Sequence, residues 1–206
     1  ATVWIGYFQW LHDNGYGFVS EPILKPLDNI KLMDAILAYD AEGKPVEPAW
    51  PAAEVIVGNP PFLGGKRLLG ELGGDYIEQL QRVYAGRIAR ESDFVCYWFE
   101  KSRSAVAQKG NTRVGLLATN SIRSESNRQI LDRIKEFGDI FWAQSDRPWI
   151  LDGAAVRVSM IAFDNGTESQ KYLDDVVVHS INSNLTSGVD VTIAAKLTEN
   201  NDICFR

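Results

Sequence analysis

The sequence predicts an α/β fold: a largely parallel sheet flanked by helices that closes in an antiparallel hairpin. Three observations predict it. Val55-Ile56-Val57 is an unbroken β-branched run, as expected of a strand covered on both faces. Two segments of helical period separate it from the next apolar run, Arg113 to Thr119, leaving ample chain for a crossover between parallel neighbours. By contrast, the link around Arg147-Pro148-Trp149 between Asp139–Ala143 and Ala155–Phe163 is too short for a helix, so those two strands should pair antiparallel.

The chain opens on Ala1 to Leu11, apolar on nearly every side and with no capping residue ahead of it. That pattern is expected of a helix cut from a longer protein. Asn14-Gly15-Tyr16-Gly17 ends the helix, and Pro22 to Pro26 make an extended connection. Asn29 to Met33 alternates polar and apolar residues, which predicts a short strand ending at Asp34. Residues 40 to 52, with Gly43, Pro45, Pro48 and Pro51, read as a surface loop leading into the Val55 strand. After that strand, Gly64, Gly65, Gly70, Gly73 and Gly74 predict a mobile segment over a pocket mouth.

Asp75 to about Arg90 places Ile77, Leu80, Val83, Tyr84 and Ile88 at a helical period. Ser92-Asp93 reads as the cap of a second helix that runs to about Gln108 and turns Phe94, Val95, Tyr97, Trp98, Phe99 and Val106 inward. Gly110-Asn111 ends it. The Arg113–Thr119 strand leads through Asn120-Ser121 into a helix from about Ser124 to Phe137. Beyond the hairpin one more strand, Val176 to Ser180, is expected before a polar, Asn-rich tail.

With 206 residues, 45% of them hydrophobic, the chain can build one domain with a substantial core. No apolar run reaches the length of a membrane span and no basic-then-apolar leader opens the chain, so a cytoplasmic protein without a membrane partner is expected. Cys96 and Cys204 lie far apart with no His or second Cys at metal-ligand spacing, so both read as reduced packing residues and no metal is expected. The Gly-x4-Gly-Lys-Ser/Thr spacing of a phosphate loop is absent. His12 and His179 stand in no nucleophile setting, which removes the hydrolase readings. A net charge of -6 counts against a free-standing DNA binder, because grip on phosphates comes from clustered cations. Lys66, Arg67, Arg123 and Arg128 form either a local basic patch or a solvated face.

The chemistry concentrates at Asn59-Pro60-Pro61-Phe62, where the Val55 strand stops. Each proline denies the residue before it the helical region, so the backbone leaves the strand extended. Asn59 Oδ1 and the Pro60 carbonyl become two fixed acceptors suited to an exocyclic amino group, and Phe62 offers a flat face for a ring. Carboxyl ends of strands are where open α/β sheets bind ligands. Asp34 sits at such an end, as an N-cap or as a contact for an adenine amino group or ribose hydroxyl; Asn120 sits at another, as a pocket residue or a helix start.

The tetrapeptide resembles motif IV, [DNS]-P-P-[YFW], of the methyltransferases that act on adenine N6 or cytosine N4. Trp4-Ile5-Gly6-Tyr7-Phe8-Gln9-Trp10, Asp93-Phe94-Val95, Ala118-Thr119-Asn120-Ser121 and Gly153-Ala154-Ala155-Val156-Arg157-Val158-Ser159 further resemble blocks of the MmeI-like group, which are Type II restriction-modification enzymes. The resemblance implies a partial S-adenosylmethionine-dependent, Rossmann-like methyltransferase sheet. Residues 1–165 would be the C-terminal half of the catalytic domain, covering motifs III to VIII, and residues 166–206 an extension toward a target-recognition domain. It implies methyl transfer from S-adenosylmethionine to N6 of an adenine flipped from double-stranded DNA. Asn59, Pro60, Pro61 and Phe62 would hold the base, Asp34 the cofactor adenine, and Trp149 a second stacking face, with Asn120, Lys66 and Arg67 as further substrate contacts. The glycine-rich motif I and the ribose-binding acid of motif II are expected ahead of Ala1. The 206 residues alone are therefore expected to be inactive, to bind S-adenosylmethionine weakly, and to self-associate through an exposed sheet edge. Methyltransfer to a protein glutamine or an RNA base, and a non-catalytic scaffold, are the alternatives.

Overall fold

A six-stranded mixed sheet fixes where each of these residues lies. The computed structural model describes residues 2–17, 30–110, 112–151 and 154–189. It divides into two units, Ala1–Met33 and Asp34–Arg206. The first holds helix α1, Thr2–Asp13, in which Trp4 stacks on Phe8 at 5.9 Å one turn on. Gly15, at φ 78°, and the Asn14 side chain, which donates to the Trp10 carbonyl at 2.8 Å, close its end. The Pro22–Pro26 connection lies outside the described residues. Residues 30–33 form no strand, and Leu32 and Met33 are exposed: their alternation meets no partner and no core among the described residues.

In the second unit, β1 (Ala38–Tyr39) and β2 (Pro45–Val46) make a small hairpin where a loop was expected. Asp40 organises its turn by accepting the N–H groups of Glu42 and Lys44. β3 (Val55–Gly58) follows, then a 3-10 turn at Gly65–Arg67, α2 (Leu68–Leu72), α3 (Gly74–Val83) and α4 (Val95–Lys109). The chain continues through β4 (Arg113–Thr119), α5 (Glu125–Phe137), β5 (Asp139–Leu151), β6 (Ala154–Asp164), β7 (Lys171–Leu173) and β8 (Val176–Val178). The strand order is β3-β4-β6-β5-β7-β8, with β3–β4 and β5–β7 parallel and the other pairs antiparallel. No helix among the described residues is long and apolar enough to cross a membrane.

Three further expectations need correction. β3 is not covered on both faces: it pairs with β4 alone among the described strands, and Val57 is 81% and Val55 61% exposed. Only Ile56 reaches the core. The glycine-rich stretch after Phe62 is largely helical. Gly65 serves close approach, since a Cβ there would lie 2.2 Å from the Glu91 carbonyl oxygen, and Gly73, at φ 84°, separates α2 from α3. Arg147-Pro148-Trp149 is strand: the hairpin runs on through it, past register shifts at Ile140/Trp142 and Gln144/Arg147. Pro148 is tolerated because β7 pairs only with Trp142 and Ala143, so no neighbour needs its missing donor on that side. The strand expected from Val176 is present as β8, which with β7 extends the sheet beside β5.

Helices α4 and α5 pack Val95, Phe99, Ile130 and Ile134 against Leu116 and Ile161 of the sheet, each such side chain contributing about 1.5–3 kcal/mol of burial. A second cluster joins α3 to the β1 side through Ile36, Leu80, Tyr84 and Tyr97. The Tyr84 hydroxyl donates to the Ile36 carbonyl at 3.0 Å. Cys96 is buried and free, and burial pushes its thiol pKa up, so it is the inert packing residue expected; Cys204 lies outside the described residues.

Candidate functional site

Register sets the height of each element. Gly58 pairs with Leu116, Thr119 with Val158, and Val158 with Arg147, so the carboxyl ends of β3, β4 and β5 share one rim. The β5–β6 hairpin continues four residue pairs past the end of β4, an overhang of about 13 Å. Half-buried Trp149 sits on this overhang, opposite Val156.

At the rim after β3, Asn59 is exposed, and its side-chain amide makes no hydrogen bond among the described residues. Pro60 is buried, Pro61 exposed and Phe62 half-buried. The Leu63 N–H returns to the Pro61 carbonyl at 3.2 Å and tightens the turn. A cavity of about 840 Å³ runs along β3 toward α4, lined by Trp50, Val57, Asn59, Pro60, Trp98 and Lys101. It reaches the first three residues of the tetrapeptide but not Phe62. Its deepest cation, Lys101, is committed to the Pro48 carbonyl and to Glu47, and lies 4.9 Å from the Trp50 ring. Burial lowers its pKa.

Asp34 acts as a cap: Oδ1 accepts the N–H groups of Ile36 at 2.9 Å and Leu37 at 3.0 Å. Its Oδ2 accepts the Tyr76 hydroxyl at 2.8 Å. Burial, then that hydrogen bond, raises the Tyr76 pKa and keeps it a donor. A carboxylate has about four acceptor positions, so one remains toward solvent. Asn120 opens a 3-10 turn, Asn120–Arg123, and its Oδ1 meets Arg123 Nη1 at 3.5 Å, the long limit of a hydrogen bond.

Three of the four basic residues have oxygen atoms of the chain close by. Arg67 pairs with Glu71 at 2.7 Å, Arg123 donates to the Asn184 carbonyl at 2.9 Å, and Arg128 lies 3.9 Å from Asp132. Lys66 is exposed with no such partner among the described residues. No group of His, Cys, Asp or Glu among those residues could hold a metal ion.

Sequence reasoning missed what Asp93 does. It does not cap α4, whose N-cap is Phe94 and carries no side-chain hydrogen bond. Instead Oδ1 accepts the Gly65 N–H at 2.9 Å, while Oδ2 accepts Ser121 Oγ at 2.5 Å and Asn127 Nδ2 at 2.8 Å. Its own N–H donates to Asn127 Oδ1 at 2.8 Å. A Ser-Asp pair before a helix gave no hint of these distant partners.

A family model described as "MmeI, DNA-methyltransferase domain" matches residues 25–174. DNA methyltransferase A of Bacillus subtilis (strain 168) is 29% identical over 177 residues, which cover 81% of this chain and 20% of that protein. The solved structure of the Type IIL restriction-modification enzyme MmeI in complex with DNA aligns with a TM-score of 0.55 at 23% identity, over 66% of this chain and 20% of that one. The chain thus spans about a fifth of the length of these relatives, and the last likeness speaks to the fold.

Proposed function

The chain belongs to the MmeI DNA-methyltransferase-domain family, and on that premise we propose that it forms the base-presenting part of a longer, site-specific DNA methyltransferase that acts on adenine N6 within a restriction-modification enzyme. The observation that carries this reading is the exposed, unengaged Asn59 amide, set beside two prolines at the carboxyl rim of the sheet. Asn59 Oδ1 and the Pro60 carbonyl accept the two N–H bonds of the amino group. That arrangement draws its nitrogen lone pair out of conjugation with the ring and turns it toward the methyl donor. Phe62 and, from the overhang, Trp149 stack on the flipped base, with Asn120 on the neighbouring rim. Lys66 and Arg67 contact the duplex backbone, and most of the grip on DNA lies outside this acidic chain.

S-Adenosylmethionine, when bound, supplies an electrophilic methyl group. The remaining acceptor position on Asp34 suits the cofactor's adenine amino group, and Tyr76 holds that carboxylate in place. Residues 166–206 lead on toward a recognition domain, and a cytoplasmic location fits such an enzyme.

The test is Asn59→Ala in the full-length protein, assayed by methyl transfer to duplex DNA. Turnover should fall at least 100-fold while DNA affinity stays within about twofold, as expected when an interaction made mainly in the transition state is lost. The 206-residue chain alone, in the same assay, should transfer nothing. Unchanged turnover would leave the scaffold reading standing. Transfer to RNA or to a peptide instead of DNA would redirect the assignment to that substrate.

A further inference from the structure

We propose that Asp93 is a positioning residue for methyl transfer, the clasp that fixes the chain just after Asn59-Pro60-Pro61-Phe62; this rests on the functional reading above. Gly65 follows Phe62 by three residues. Two consecutive groups grip the intervening segment: the Asp93 carboxylate accepts the Gly65 N–H at 2.9 Å, and the Phe94 N–H donates to the Leu63 carbonyl at 2.9 Å. Gly65 presses so closely on the backbone of Glu91 and Ser92 that a Cβ would lie 2.2 Å from the Glu91 oxygen and 3.1 Å from the Ser92 oxygen.

The same carboxylate reaches the neighbouring rim. Its other oxygen accepts Ser121 Oγ, which in turn lies 2.6 Å from Thr119 Oγ1 at the end of β4. Asn127, on α5 and buried, completes the clasp. Its Nδ2 donates to Asp93 Oδ2 and, at 3.0 Å, to the Ser121 carbonyl, while its Oδ1 accepts the Asp93 N–H and the Cys96 thiol. Both N–H donors and both lone pairs of that amide are thereby taken by Asp93, by Cys96 on α4 and by the turn after β4. One carboxylate therefore ties the base-stacking turn after β3 to the turn after β4, and all of its donors are neutral.

A part so fully satisfied is rigid, and rigidity is what the acceptor pair requires. A displacement of about 1 Å in groups that orient a reactant costs on the order of 100-fold in rate. Asp93→Asn keeps the size but turns an acceptor into a donor facing the Asn127 amide, so the clasp opens with little change in packing. Gly65→Ala attacks the same segment from the opposite side by steric contact.

The experiment uses the full-length protein and duplex DNA carrying a fluorescent base analogue at the target position. The measurements are kcat, KM for DNA, the fluorescence of the extruded base and the thermal midpoint. Asp93→Asn and Gly65→Ala should each lower kcat by 10- to 100-fold with KM for DNA within about threefold, and should alter the extruded-base signal, because the stacking face has moved. A kcat within twofold of the parent in both variants overturns the proposal, whether or not the midpoint falls. A parent protein that transfers no methyl group to DNA overturns the functional reading itself, an outcome distinct from an active parent with insensitive variants.

Discussion

Glu100 is the most heavily committed side chain in the core. It is 0% exposed and receives Arg103 through two contacts of 2.9 Å, Arg133 at 3.3 and 3.4 Å, and Arg87 at 3.7 Å. Burial pushes its pKa up, but the hydrogen bonds and charges of Arg103 and Arg133 outweigh that and hold it below the ordinary glutamate value. The sign follows: a carboxyl whose folded pKa is depressed stabilises the fold above its unfolded pKa of about 4.3 and loses that contribution as pH falls through the lower folded value. Glu100→Ala leaves the guanidinium groups facing an empty site and should cost about 3–5 kcal/mol in urea denaturation at neutral pH. It should also flatten the decline of stability below about pH 4; a variant as stable as its parent would show the cluster to be inert. None of this was legible in the sequence. Glu100 looks like one more charge on a helix beside Arg103, as Asp93 looks like a cap, because Arg133 and Asn127, which complete the two clusters, lie 33 and 34 residues away. The place of Asn59 just past a strand's carboxyl end was legible, since prolines fix the local backbone whatever the rest of the chain does.

Elements were read best where local pattern and tertiary packing agree. β4 occupies the span its apolar run marked, and α5 begins just after Ser124 and ends at Phe137 as its periodicity indicated. β5 was read too short, because Gln144 to Trp149 is polar and carries a proline; it is strand only because β6 lies alongside. The junction of α5 and β5 shows the same dependence on a distant neighbour. Gly138 has an extended φ of -155°, which any residue adopts, yet a Cβ there would lie 2.0 Å from the Asp164 carbonyl oxygen at the far end of the hairpin. Since the obstacle is backbone, it cannot rotate away. Gly138→Ala should therefore cost about 1–3 kcal/mol, read as a lower denaturation midpoint, whereas Gly115→Ala, with nothing within 4 Å, should cost less. Equal midpoints for the two would refute close approach as the reason for glycine at 138.

At the scale of the whole molecule the sheet has two ends, and they differ. β8 is three residues long and pairs with an equally short β7, so it offers a small template. β3 is parallel to β4 and carries Val55 and Val57 outward beside the cavity that Trp50 and Trp98 help line. An edge with free backbone groups and adjoining apolar side chains is where another strand adds most readily, and charged residues on such an edge are how natural sheets prevent it. The 206-residue polypeptide should accordingly self-associate as its concentration rises, with its weight-average mass climbing in sedimentation velocity. Val57→Lys places a charge on that edge at an 81% exposed position, where it costs little stability, and should hold the chain at monomer mass across the same range. Val177→Lys, on β8, should leave the association in place. If Val57→Lys associates as the parent does while Val177→Lys does not, the contact lies at the opposite end of the sheet and the β3 edge is not the sticky one.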